Sequence, residues 1–181
     1  MSNQTSTHAH TAELAAEHAP RMQYAKVAPE VYKAVIGLEI AAKKGLDPSL
    51  VELVKLRASQ INHCAFCLDM HSKDALAAGE SVERVMLLAA WEESRHFYTE
   101  KELAAIELTE AVTVLTGGTS RTESGGGFVP DEVYARAAKH FEEAELAQLI
   151  AVIATINVWN RIGVTTRMVP GHYTPPAAKK A

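Results

Sequence analysis

The chain has 181 residues, with 18 basic and 22 acidic side chains and a net charge of −4. That length favours one compact domain able to bury roughly 70% of its unfolded surface. With 48% apolar and 22% charged residues, the composition excludes a chain disordered throughout, and no basic field is present to attract nucleic acid or an anionic membrane. Two cysteines are too few for a disulfide framework, so their use is local.

Residues 1–25 read as a flexible arm. Met1 to Pro20 is rich in Thr, His and Ala, without the continuous apolar stretch of a signal peptide or membrane anchor. The expected location is therefore cytoplasmic, where thiols are kept reduced. His8, His10 and His18 fall in this arm and read as a solvated tail, because histidines on a floppy chain make a poorly preorganised metal site.

Residues 26–168 read as one all-α domain. Pro29 suits a first helical position, and the segment through Val31, Val35, Leu38 and Ile40 stops at Gly45. Asp47-Pro48 opens a second helix as N-cap and N1, with Leu50, Leu53, Val54, Ala58 and Ile61 at helical spacing. A third is expected over 63–78, ending at Gly79. Ser81 caps a fourth through Trp91, and Thr99 with Glu102 makes a capping box for a fifth. Residues 117–127 hold five glycines and read as a flexible loop, with neither the lysine nor the preceding strand of a phosphate-binding loop. Pro130-Asp131 restarts helix, and a long apolar helix is expected from Glu142 to Ile162, closed by Gly163. Glu145, Gln148, Asn157 and Asn160 interrupt it, which favours core and subunit seam over a membrane span. Residues 169–181, with Pro170, Pro175 and Pro176, read as an extended tail. Trp91 and Trp159 read as core or subunit-interface residues.

The stretch His63-Cys64-Ala65-Phe66-Cys67-Leu68-Asp69-Met70-His71 carries chemistry. At about 100° per residue, Cys64 to Cys67 is a step of about −60° and Cys67 to His71 one of about +40°. All three then share one stripe. Positions i and i+3 on a helix are near enough for a disulfide after modest adjustment. An imidazole or a helix N-terminus lowers a thiol pKa, and a second sulfur can capture an oxidised first one. Spacing alone does not say which sulfur attacks. Zinc wants four ligands and finds at most three here. Haem attachment needs His where Leu68 stands, and a thioredoxin fold would surround the pair with strands. Glu52, Lys55 and Ser59 form a polar line on the preceding helix, from which Glu52 could orient His71 as a base.

The string Glu52-x-x-Lys55-x-x-x-Ser59-x-x-Asn62-x-Cys64-x-x-Cys67-x-x-x-His71 resembles the core of the alkylhydroperoxidase D family, within the carboxymuconolactone decarboxylase-like superfamily. The likeness is strong over about residues 50–80 and looser through Trp91, Phe97-Tyr98-Thr99, Glu110 to Thr113, and Asn157 to Arg161. It implies a single-domain helical bundle, homo-oligomeric as a dimer, trimer or hexamer, that reduces hydroperoxides with thiols. By the resemblance Cys67 attacks, Cys64 resolves, and His71 with Glu52 relays protons. Its best-known members carry a second histidine between the cysteines, where this chain has Phe66, and the decarboxylase branch is not expected to use a cysteine pair. The partners expected are a small hydroperoxide and a thiol reductant, protein or small dithiol. No cofactor, metal, nucleic acid or membrane is expected. Two other readings use the same atoms: a general dithiol–disulfide oxidoreductase, and a non-catalytic oligomeric redox sensor.

Overall fold

The computed structural model describes residues 19–115 and 129–176, which form helices joined by turns, with no strand among them. The first eighteen residues with their three histidines, and the glycine-rich segment 117–127, lie outside the described residues. The helices are α1 (Tyr24–Val27), α2 (Pro29–Ala42), α3 (Pro48–Ile61), α4 (Ala65–Ala77), α5 (Val82–Leu87), α6 (Glu100–Thr113), α7 (Asp131–His140) and α8 (Glu143–Thr166).

Local chemistry sets most of the starts. The Asp47 carboxylate accepts the Leu50 amide at 3.1 Å, with Pro48 at N1 where no donor is needed. Ser81 Oγ accepts the Arg84 amide at 3.2 Å. The Thr99 and Glu102 capping box is complete: the Glu102 amide donates to Thr99 Oγ1 at 3.2 Å and the Thr99 amide to Glu102 at 2.7 Å.

Three expectations are corrected. The helix begun at Ser81 ends at Leu87 and tightens into 3-10 turns at Leu88–Ala90 and Arg95–Phe97, rather than running on to Trp91. The cysteine helix begins at Ala65, because His63 takes a left-handed φ of 54° that breaks the run. α8 continues through Gly163 to Thr166 and stops on Arg167 at φ 56°. On α2, Val31, Leu38 and Ile40 are exposed at 51%, 46% and 61%, while Tyr32, Val35, Glu39 and Ala42 turn inward.

α3 is the central helix and packs on α4, α6 and α8, with α2 laid on α8 and α7 on α6. Leu50, Val51 and Val54 of α3 join Leu108 of α6 and Leu149, Val152 and Ile153 of α8 in the main core. Leu53 and Leu56 face a second cluster with Leu88, Trp91, Leu103 and Ile106, so Trp91 is core, as its sequence context implied. Each fully buried leucine of this kind stabilises the fold by about 1.5–3 kcal/mol. α8 is long and apolar enough to cross a membrane by length and composition alone, but half of that stretch is buried inside the protein, as befits a core helix. A third, smaller cluster contains Ala58, Ile156 and both cysteines. That cluster lies where α3, α4 and α8 meet, and it positions the site.

Candidate active site

α3 ends at Ile61, and the turn Asn62-His63-Cys64 redirects the chain into α4. Cys64 is the N-cap of α4, outside the helical run, and its amide donates to the Ser59 carbonyl at 3.0 Å. The angular argument therefore holds for Cys67 and His71, one helical turn apart, whereas Cys64 reaches the same edge through its cap conformation. Cys64 and Cys67 are joined as a disulfide with their Cα atoms 5.3 Å apart. Both are deeply buried, at 1% and 2% exposure.

His71 is equally buried, and its Nδ1 lies 2.8 Å from Glu52 Oε2 on α3. In the tautomer that donates the Nδ1 proton to the carboxylate, Nε2 is the ring's acceptor. Glu52 is not alone. Lys55 Nζ stands 3.7 Å from Glu52 Oε1 and donates to Glu39 Oε1 on α2 at 2.8 Å. Trp159 Nε1 of α8 donates to the other Glu39 oxygen at 2.9 Å. The result is an alternating row: carboxylate, ammonium, carboxylate, imidazole. Burial pushes the Glu52 carboxyl up, but the hydrogen bond and charge of His71 and the Lys55 cation outweigh it, leaving the pKa below the ordinary value. Glu39 behaves alike: burial opposes ionisation, and Lys55 restores and exceeds what burial removes.

These groups floor a cleft of 570 Å³. Cys67, His71, Glu52, Lys55 and Glu39 lie along it, and Tyr32, Ile36, Phe66, Met70, Trp159, Met168, Tyr173 and Pro176 supply apolar walls. Cys64 does not line it. That sulfur sits behind Cys67, beneath Gly163: a Cβ at 163 would stand 3.0 Å from Cys64 Sγ and 3.8 Å from Cys67 Sγ. Gly163 is thus a close-approach residue rather than a helix stop, admitting the α8 backbone to the disulfide. Gly163→Val is expected to lower stability by about 1–3 kcal/mol through overpacking. Denaturant unfolding of the oxidised protein measures it, and an unchanged midpoint would contradict the close approach.

The α3–α8 contact behind the sulfurs is polar. Asn62 Nδ2 donates to Asn157 Oδ1 and Asn160 Oδ1, each at 2.9 Å, and Asn160 Nδ2 donates to Ser59 Oγ at 3.0 Å. Ser59 and Lys55 are almost fully buried, so the polar line on α3 is an interior seam rather than a solvated face. Among the described residues, Glu52, His71 and Asp74 each bring one potential metal-ligand atom within 4.8 Å of the others. Each already has a protein partner, since Glu52 and His71 bond one another and Asp74 accepts from Tyr173.

The structure thus brings Glu52, Cys64, Cys67 and His71 together. His63 is exposed and stands apart from the group. Sequence reasoning assigns no site role to Glu39, Trp159 or Tyr173. Glu39 is a lone carboxylate in the apolar run Val35–Ala42, which is a usable signal. Trp159 packs against the cysteine cluster, in keeping with its core reading, and also walls the cleft. Tyr173 lies in the tail and carries no local signal.

A family model, that of the carboxymuconolactone decarboxylase family, matches residues 29–111, from α2 into α6. The uncharacterised protein YdfG of Bacillus subtilis (strain 168) is 39% identical over 145 residues, covering 80% of this chain and 92% of that protein. The uncharacterised YnjA of Escherichia coli (strain K12) is 33% identical over 113 residues, 62% of this chain and 56% of its own length. A crystal structure of a protein of unknown function from Agrobacterium tumefaciens, proposed there to be the antioxidant defence protein AhpD, superposes with a TM-score of 0.75 at 38% identity. It covers 86% of this chain and 100% of that one. A second, described as an alkylhydroperoxidase AhpD core in an uncharacterised peroxidase-related protein from Ralstonia eutropha JMP134, gives 0.65 at 16% identity over 82% and 74% of the two chains, a likeness of fold. By these matches, and by the helical architecture that carries its cysteine pair, the chain belongs to the carboxymuconolactone decarboxylase family, in its alkylhydroperoxidase D-like form.

Proposed function

We propose that this chain is a thiol-dependent hydroperoxide reductase. In the reduced protein, His71 Nε2 takes the Cys67 proton. The thiolate attacks the terminal peroxide oxygen and the O–O bond breaks. The departing alkoxide takes the proton back from the imidazolium, leaving an alcohol and a sulfenic acid on Cys67. The Cys64 sulfur then attacks Cys67, water leaves, and the disulfide forms. An external thiol reductant, a small dithiol or a protein, returns two electrons and two protons. Glu52 holds the imidazole with Nε2 free and stabilises its charged form.

One observation carries the reading: Cys67 and an imidazole anchored by a carboxylate open onto the same cleft, while the bonded partner sulfur lies behind. The likeness to an AhpD-type protein in fold and sequence supports it. Reduced thiols require a reducing compartment, so we place the protein in the cytoplasm. The exposed Val27, Val31, Leu38 and Ile40, with Val158 and Val164 of α8, support assembly with further copies. A general dithiol–disulfide oxidoreductase would use the same sulfurs. Steady-state turnover with an alkyl hydroperoxide and excess dithiol, compared with turnover on a small disulfide, separates the two. Peroxide consumption through many cycles is expected. Turnover confined to the disulfide would install the oxidoreductase, and one slow oxidation without cycling would install a redox sensor.

A further inference from the structure

Beyond α8 the chain turns back across α4, the helix that bears Cys67 and His71. An extended proline-containing terminus is ordinarily left free; this one is fastened at three points. The Gly171 amide, at a φ of 96°, donates to Asp69 Oδ2 at 2.8 Å. Lys73 Nζ donates to the Tyr173 carbonyl at 3.0 Å, and Tyr173 Oη donates to Asp74 Oδ1 at 2.7 Å. Asp69 and Lys73 also pair with each other at 2.8 Å. The side chains that grip the strap thus sit beside Met70 and His71. Its residues Tyr173 and Pro176 line the cleft, the Tyr173 hydroxyl reaching Asp74 beside the charged floor. The Tyr173 phenol is pushed up to about 12, by burial first and then by its bond to Asp74 and the negative charges of Asp74 and Glu52. It is thereby held as a neutral donor to Asp74. None of the strap falls within residues 29–111, the part that matches the family model.

We propose that Tyr173 is a specificity-determining residue, its ring forming the wall that sets how bulky an organic hydroperoxide can reach Cys67. This rests on the peroxidase reading and adds what that reading leaves open: which peroxides enter. The ring is the largest side chain the strap places in the cleft. Its position is fixed by hydrogen bonds to the helix that carries the reacting sulfur.

The test compares kcat/KM for cumene hydroperoxide with that for hydrogen peroxide in wild type, Tyr173→Ala and Tyr173→Phe. Tyr173→Ala is expected to raise the ratio by about tenfold, within what one pocket side chain commonly contributes to discrimination. Tyr173→Phe keeps the ring and both backbone tethers and should hold the wild-type ratio. An unchanged ratio in Tyr173→Ala, or an equal change in both variants, overturns the inference. A second arm needs no peroxide: in the reduced proteins, Cys67 alkylation by a bulky N-aryl maleimide, relative to iodoacetamide, is followed by mass spectrometry. The same pattern is expected there, and equal acceleration of both reagents overturns it. Loss of peroxide turnover in every protein, with the alkylation pattern intact, would strike the peroxidase reading and leave the wall standing.

Discussion

Cys67→Ser is expected to abolish peroxide turnover, with a fall of about 10³-fold or more, the effect of removing the proposed covalent nucleophile. Cys64→Ser behaves differently. Its reduced form still reacts once with peroxide, and the sulfenic acid then persists at Cys67, because the only sulfur positioned to condense with it is gone. Stopped-flow measurement of the first turnover, with dimedone trapping and peptide mass spectrometry, distinguishes the variants. The expectation follows from the order of the sulfurs along the cleft, with Cys67 at its surface and Cys64 beneath Gly163. A first-turnover burst in Cys67→Ser, with none in Cys64→Ser, would exchange the two roles.

Glu52→Gln is expected to lower kcat/KM by about 10²- to 10³-fold, the scale of a mispositioned general base. The amide can still hold the ring, but it no longer favours the proton arrangement that leaves Nε2 free, nor stabilises the imidazolium. The pH dependence separates this from a merely structural loss. The Glu52 carboxyl lies below its ordinary value of 4.5, because His71 and Lys55 outweigh the penalty of burial. A lowered folded-state pKa contributes stability that is present above the unfolded value and lost as pH falls through the folded one. Wild type is therefore expected to melt higher than Glu52→Gln at pH 6–7, with the gap closing as the pH falls below about 4.5. Thermal melts across that range measure it. A gap independent of pH would mean that Glu52 is not held ionised by its neighbours.

Much of this site was legible because its chemistry is local in the chain. Cys67 and His71 lie one turn apart on one helix, and Glu52 lies on the helix just before it. Helix periodicity and a short connection were enough to bring them together. The capped starts at Asp47, Ser81 and Thr99 were legible for the same reason, since a cap is a bond between neighbours in sequence. What was not legible depended on contacts between distant segments. Glycine inside a helix resembles glycine after one, and only the sulfurs beneath it distinguish the two at Gly163. The ion pair of Lys55 with Glu39 requires α2 to lie across α3, which no pattern within either helix specifies. Trp159 and Tyr173 reach the cleft from α8 and the strap, more than 85 residues beyond Cys67 in the numbering.

The side-chain ladder of Asn62, Asn157, Asn160 and Ser59 bears on the uniqueness of the packing around the disulfide. Two greasy helices can slide by a turn and still find contacts of comparable worth, whereas a row of interior amides is satisfied in a single alignment and heavily penalised in any other. The ladder therefore acts as an index pin between α3 and α8: it selects the one setting that brings position 163 over the sulfurs. The alignment of the disulfide is stored in groups that are no part of the bond itself.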